Sequence, residues 1–518
     1  MNNIKESWNH YAQLIFFIFF TISFSGIIFN VIFNKSVYSY LTITICALIF
    51  SFLMIIYLFN ILIKGNEQLF AKNYYVILGA FMVLMFISQI VFGYILRFDP
   101  IFDLEAVYRG ALEWVNTGTF GSYKSSTCYE SYFYIFPNNL GCLAFLAVIF
   151  KIANIFNITD SFMVATAVNS ILSVSTMCLT SLICKRLWGI RHAVVVLSFF
   201  LLSPPFYFSA AVFYTDFLSI IFPILILYIF LKCQDFGSQK KRIFFYCLIG
   251  IVAAIGMLIK FTVVITVIAI VIYLLVKRNY KQTIAFTLIS AVMIGVTIIS
   301  FNSYIYSNHL DKATAAQERL PYTHWIMMSL SGTGGYNNSD FDFTSSIEDP
   351  YERLKVTTDE IFVRLDKLGF TGVMNLAEVK SARCFGDGTY ALAEFLDDNP
   401  QNNTIVQEFI LFDGKHYKAY KSVCAGIFLS ILILMVISGF KNIIDYRQRV
   451  KCCLIPQLCV FGIMLFLLMW EVNSRYINNF IPMIFISAVG GMDFFSDSVT
   501  KFLNKANNRV TFPFNKNK

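Results

Sequence analysis

Charge is what this sequence has least of. Only 14% of its 518 residues are Asp, Glu, Lys or Arg, and 57% are hydrophobic. A soluble globular chain carries about 25% charged and about 45–50% apolar residues. So little charge excludes a water-facing surface of this size, and with it a soluble enzyme or a disordered chain. Cysteine patterns are missing as well. The 12 Cys include no C-x-x-C pair and no Cys/His cluster at ligand spacing, which excludes a disulfide-stapled fold and the usual zinc sites. Cys46, Cys178 and Cys247 sit inside apolar stretches and read as lipid-facing or core thiols. No internal repeat or low-complexity tract is visible, so the matching halves of many transporters are lacking. A cleavable leader is not expected. The first apolar stretch, of about 23 residues, is too long, and no small-residue cleavage site follows it.

Long apolar runs are what the sequence has most of. A bilayer-spanning helix needs roughly 20 apolar residues. Candidates lie at 11–33, 38–63, 74–96, 162–184, 193–213, 215–232, 243–259, 261–277, 283–304, 420–440, 453–470 and 477–496. The expected fold is therefore an all-α polytopic membrane protein of about twelve transmembrane helices. Residues 193–231 contain only Asp216 as a charge, and 243–276 only Lys260. Each run is too long for one helix, so each predicts a tight helical hairpin with its charge near the turn.

The net charge of +9 points to basic cytoplasmic loops rather than to nucleic acid. Those loops are 185–192, 232–242, 277–281, 441–452 and the tail 501–518. With twelve spans they all fall on the cytoplasmic side, as do both termini. Residues 140–157 are apolar but interrupted by Lys151 and Asn154. Counting them as a span would break this parity, so they read as an interfacial or re-entrant helix on the outer side.

This topology divides the chain into four parts. Residues 1–73 supply two N-terminal helices. Residues 74–304 form a transmembrane module with an outer loop at 98–161. Residues 305–419 are a large outer region, α or α+β, with a Gly-rich turn at 332–335 and a mixed-charge helical stretch at 348–367. Residues 420–518 hold the last spans and a basic tail.

The ionisable residues gather at the outer junctions. Asp99, Asp103 and Glu105 follow a span, and from Asp103 the apolar spacing predicts an amphipathic helix. There Asp103 sits near a helix N-terminus, where its charge is favoured. Such a residue also serves as a plain N-cap. Asp216, Lys260, Glu471 and Arg475 lie at further junctions. Ionisable residues so placed are functional hypotheses by default, and they also cap turns or snorkel. The aromatic stretch 129–141, with Tyr132, Tyr134, Asn138 and Asn139, suits a membrane interface or a sugar-binding surface. Carboxylates and cations on one face are what transfer from a lipid-phosphate donor needs. A carboxylate takes the proton of an acceptor hydroxyl, and cations stabilise the departing phosphate.

These motifs resemble the GT-C superfamily of integral membrane glycosyltransferases. The resemblance is strongest to its protein O-mannosyltransferase and aminoarabinose transferase branch, family 39-like. It rests on Asp103 with Val107, Tyr108 and Ala111 in the first outer loop, FPNNLG at 136–141, KRLWG at 185–189 and YTD at 214–216. YFYIFPNNLG, YTDFLS, HWIMMSLSGTGGYN (324–337), GDGTY (386–390) and WEVNSRYI (470–477) are similar to strings in Gram-positive envelope glycosyltransferases. The likeness spans roughly 75–495.

The resemblance implies an inverting transferase in a bacterial cell membrane. It would move a monosaccharide from a polyprenyl-phosphate donor to an envelope glycopolymer, such as a teichoic acid, on the extracytoplasmic face. It makes Asp103 the catalytic base with Asp99 as second choice, Asp216 and Glu471 supporting residues, and Lys260 and Arg475 ligands of the donor phosphate. Tyr132, Tyr134, Asn138, Asn139, His324 and Tyr336 would contact sugar or acceptor. Asp103 is followed by Leu104, not by the Glu usual in the family, which speaks against a two-carboxylate metal site there. No cofactor is assigned, and a divalent metal stays open. A lipid-diphosphate polymerase or ligase, and a lipid-linked sugar flippase or transporter, are the competing readings.

Overall fold

The computed structural model describes residues 2–33, 39–65, 67–128, 131–397, 399–444 and 454–496. Most of the basic loop 441–452 and all of the tail 501–518 lie outside them. Within the described residues the regular structure is helical, and the only β pairing is an isolated bridge between Phe98 and Pro400. The outer region is therefore α rather than α+β.

Ten helical segments are long and apolar enough to cross a membrane. An eleventh forms if Ile190–Leu202 and Pro205–Ala211, bent by 72°, make one broken span. The chain is thus a multi-pass membrane protein. Two of the twelve expected spans, Phe261–Val276 and Leu454–Met469, are apolar but shorter. At 1.5 Å per residue, the 16 residues of Phe261–Val276 reach about 24 Å, short of a hydrocarbon core of about 30 Å.

Pro137–Ile155 passes by length and composition, although the charge parity reads it as interfacial. Its packing is specific. At its start, the Asn139 amide donates to Tyr132, which donates to Asp103. Just past its end, Asp160 pairs with Arg97 at 2.7 Å. Arg97 and Asp103 both follow the C-terminal end of helix Glu67–Ile95, so both ends are tied to one short stretch of chain. In between, Phe150 packs edge-on against Tyr108 of helix Phe102–Thr117.

The two N-terminal helices do not stand apart. Asn2–Phe33 and Leu41–Lys64 both pack on Tyr417–Ile444, and the Ser51 and Ser430 hydroxyls bond across that contact at 2.9 Å. At the end of the bundle carrying the basic loops, Arg186 pairs with Asp235, Arg191 with Glu67 and His192 with Asp493.

The region between Asn308 and Tyr417 covers the other end. Three of its helices start at side-chain caps. Asp311, Asn337 and Asp349 accept from the backbone N–H groups of Thr314, Asp340 and Glu352. The mixed-charge stretch opens helix Pro350–Phe385, which kinks at Gly369. Arg364 grips Asp340 with two hydrogen bonds of 2.8 and 2.6 Å, the bidentate geometry that suits a guanidinium to a carboxylate. At the Gly-rich turn, Gly334 (φ +77°) exposes its backbone to the Lys380 stem. A Cβ there would lie 2.8 Å from that side chain's carbons.

Candidate functional site

Three helical breaks meet at the covered end. Lys260 ends helix Gln239–Ile259 in extended backbone before a short 3-10 turn. Asp216 lies in the first turn of Thr215–Leu218. Arg475 opens the 3-10 segment Ser474–Phe480. A cation at a helix C-terminus and an anion at an N-terminus both complement the helix dipole. Broken helices free backbone groups that need partners; one of two neighbouring amides supplies such a partner, and the other ties a side-chain hydroxyl. Asn478 donates to the Asp216 carbonyl and Asn479 to the Thr262 hydroxyl, both at 3.1 Å.

The charges at these breaks converge. Lys260 Nζ is 2.7 Å from Asp216 Oδ1, and Arg475 Nε is 3.4 Å from Asp216 Oδ2. The Asp216 side chain is 1% exposed, whereas Lys260 and Arg475 retain 20% and 16%. One buried carboxylate thus holds two cations whose outer parts still reach solvent. Aromatic rings pack around both. Lys260 Nζ lies 4.2 Å from the Tyr476 ring centre, and the Arg475 guanidinium lies 4.9–5.5 Å from Tyr214, Phe395 and Tyr476. Such contacts favour a cation where water is scarce.

Asp103 forms the second half of the site. It is only partly buried. Tyr132 donates to its Oδ1 at 2.6 Å, and the Tyr214 hydroxyl lies 3.1 Å from its Oδ2. Asn139 closes the network, donating to Tyr132 at 2.6 Å with its Oδ1 3.2 Å from the Tyr214 hydroxyl. Burial, and then the Asp103 charge, push both phenols well above their ordinary range, which keeps them protonated as donors. Tyr214 joins the halves: its hydroxyl is on Asp103 and its ring is beside Arg475. Phe102, directly before Asp103, has φ +52°, a left-handed conformation that costs a bulky residue about 1–3 kcal/mol and concentrates at functional sites. Gly141 allows the approach of this network to Lys260's helix. A Cβ there would lie 2.0 Å from the Leu258 carbonyl oxygen.

The remaining candidates take separate places. Asp99 is half exposed and paired with Arg109 at 2.6 Å. Glu471 is buried and accepts from Tyr476 at 3.1 Å. Burial pushes its carboxyl up, against the opposing charge of Arg475. Tyr134 accepts from the Asp311 backbone N–H. Asn138 is exposed, with its amide 3.5 Å from Asn139 Oδ1. Tyr336 is 52% exposed.

His324 departs from its expected role. It is fully buried in the outer region, with Nδ1 2.7 Å from the Thr344 hydroxyl, and presents no ring surface to a sugar. Burial lowers its pKa to about 4. It is there because the ring fills the interior between Trp325 and Phe341.

Sequence reasoning assigned no role to several residues around the site. Glu394 lies 3.8 Å from Arg475 and accepts from Asn473 at 2.7 Å. Its only signal was proximity to the GDGTY string. Glu105 is buried and accepts from the hydroxyls of Tyr123, Ser125 and Thr127. Glu113 on the same helix accepts from the backbone N–H groups of Gly121 and Ser122. Together they strap loop 118–128 to the helix that carries Asp103. Alternating Ser and Thr opposite two helical carboxylates was the signal available.

Among the described residues, no three His, Cys, Asp or Glu side chains gather at metal-binding distance. Each oxygen of Asp103 faces one phenol hydroxyl, and each of Asp216 one cation. A cavity of about 760 Å³ opens between residues 120–128 and 131–134 on one side and residues 309–318 on the other.

Comparison with known structures returns remote likenesses. ArnT from Cupriavidus metallidurans bound to undecaprenyl phosphate is 12% identical, with a TM-score of 0.37 over 81% of this chain and 78% of that one. Its apo state is 14% identical, with the same TM-score and coverage. The archaeal oligosaccharyltransferase AglB from Archaeoglobus fulgidus, in complex with an inhibitory peptide and a dolichol-phosphate, is 11% identical. Its TM-score is 0.42 over 87% of this chain and 53% of that one. No curated protein matches the sequence. One family model does, over residues 4–493, and with nearly the whole chain inside it this protein belongs to the family described as conserved hypothetical integral membrane proteins.

Proposed function

We propose that the chain is an integral membrane glycosyltransferase. It moves one sugar from a polyprenyl-phosphate donor to a hydroxyl acceptor, of the envelope-glycopolymer class, on the extracytoplasmic face. The observation that carries this reading is the juxtaposition of Asp103, oriented by two phenols, with two cations held on one buried carboxylate. Asp103 takes the acceptor hydroxyl proton, and the acceptor oxygen attacks the anomeric carbon. The bond from that carbon to the phosphate oxygen breaks. The lipid phosphate leaves as an anion beside Lys260 and Arg475, so no general acid is needed. A single displacement inverts the anomeric configuration. Asp216 serves by pre-organising the cations, the form of charge stabilisation that costs no rearrangement during reaction. The ionisable groups sit at breaks near one end of the bundle, not in a cavity halfway along it, which favours transfer over transport.

The test is Asp103→Asn. Envelope glycans from a deletion strain, complemented with either the parent or this variant, would be compared by mass spectrometry. The variant is expected to be present at normal abundance and to leave the sugar missing, because general-base loss costs about 10²–10⁴-fold in rate. Full restoration of the sugar by Asp103→Asn would remove the base assignment.

A further inference from the structure

We propose that Glu394 is an exchangeable counter-ion on Arg475, displaced by the donor phosphate when it binds, and that it thereby sets how tightly the site holds its lipid. The proposal rests on the reading of Lys260 and Arg475 as ligands of a lipid phosphate. Two carboxylates face Arg475, and they differ. Asp216 Oδ2 lies 3.4 Å from Nε, and its side chain is 1% exposed. Glu394 Oε2 lies 3.8 Å from Nη1, and its side chain is 36% exposed. Removing the enclosed partner strands a buried charge. An exposed pair at such a distance contributes little, and its carboxylate can turn to water. Asp216 is therefore the fixed partner and Glu394 the one that can leave.

Arg475 is also short of hydrogen bonds. Among the described residues its Nε, which is buried, has no hydrogen-bond partner, although Asp216 is 3.4 Å away. Glu394, at 3.8 Å, lies beyond hydrogen-bond reach. A guanidinium is a planar fork of donors, and a phosphate can accept from that fork at two oxygens at once. Exchange of one carboxylate charge for one phosphodiester charge keeps the balance at Arg475.

The backbone brings Glu394 to this place at a cost. It lies on the short helix Ala393–Leu396, reached through two consecutive left-handed residues. These are Tyr390 at φ +55° and Ala391 at φ +52°, both buried. Such residues persist only where their surroundings impose the conformation, and they cluster at functional sites. Phe395, the next residue along, lays its ring 4.9 Å from the guanidinium. Asn473 holds Glu394 from the other element. Its Nδ2 donates to Glu394 Oε2 at 2.7 Å, and its Oδ1 accepts from the Arg475 backbone N–H at 3.2 Å. The bond from Asn473 needs only an oxygen, whereas the attraction to Arg475 needs the charge, so the two can be separated.

The test uses the full chain in detergent micelles, titrated with undecaprenyl phosphate and with uncharged undecaprenol. Native mass spectrometry reads the bound fraction without requiring activity. Glu394→Gln removes the charge and keeps an oxygen for Asn473. Its Kd for undecaprenyl phosphate is expected to fall about three- to tenfold, the size of one screened like-charge repulsion removed. Its Kd for undecaprenol should not change. The gain should shrink as ammonium acetate is raised, which a change of shape would not reproduce. It should vanish in an Arg475→Met background. If Arg475→Met abolishes the preference for undecaprenyl phosphate over undecaprenol but Glu394→Gln binds no tighter than the parent, the proposal is overturned and the phosphate reading stands. A parent chain that binds both lipids alike, or an Arg475→Met variant that binds undecaprenyl phosphate as tightly as the parent, overturns the phosphate reading and the proposal with it.

Discussion

Replacing Asp216 by Asn removes the one charge that Lys260 and Arg475 share. At 2.7 and 3.4 Å and an effective dielectric of about 20, the two attractions are about 6 and about 5 kcal/mol. Desolvation of three charges offsets most of this. The cost of the substitution is therefore set by what remains: two cations, mostly buried, facing each other without a counter-ion. Breaking a buried pair from one side costs about 3–5 kcal/mol. Asp99→Asn is the control. Its pair with Arg109 is of similar length, but the two side chains are 50% and 36% exposed, and exposed pairs contribute about 0–1 kcal/mol. Denaturant unfolding of the detergent-solubilised chain, followed by tryptophan fluorescence, reads both. Undecaprenyl phosphate should then stabilise Asp216→Asn more than the parent, since a phosphate can take the place of the lost carboxylate. If Asp216→Asn costs no more than Asp99→Asn, the carboxylate does not organise the cations, and the account of the phosphate site is refuted.

Three further outcomes are expected. Tyr132→Phe removes a donor from Asp103 and an acceptor from Asn139, so kcat should fall more than donor affinity; steady-state kinetics showing only a KM change would contradict this. His324 is held neutral, with its pKa lowered from 6.5 to about 4. The unfolded chain then binds the proton first, and stability should fall by about 3 kcal/mol as pH drops from about 7 to about 4. His324→Gln should flatten that part of the unfolding profile, and an unchanged pH dependence would count against it. Gly334→Ala adds a Cβ at φ +77° against the Lys380 stem and should lower stability by about 1–3 kcal/mol, measured by the same unfolding assay; a neutral result would mean that the turn can shift.

The spans and the convergence of Asp103, Asp216, Lys260 and Arg475 were legible because each charge interrupts or borders an apolar run, and a charge in such a setting must sit at a break. Phe261–Val276 and Leu454–Met469 were read at nearly these bounds, 261–277 and 453–470; an apolar run of that length reads as a span whether or not its helix is long enough to cross. The joining residues were not legible. Tyr214 reads as one aromatic among many, and its role depends on a contact with Asp103 across 111 positions. Glu394 approaches Arg475 from the outer region, across 81 positions of intervening chain. His324 illustrates the opposite failure. A lone His in a polar stretch looks available, yet only the packed outer region reveals that it is enclosed.

Tyr214 makes Asp103 and Arg475 one thermodynamic unit although they do not touch. Its hydroxyl answers to the carboxylate and its ring to the guanidinium. Whatever a ligand at the cation does to the energy of a proton on Asp103, that proton does in equal measure to the ligand. Substitutions at Asp103 and at Arg475 therefore share this neighbour and are not expected to contribute independently.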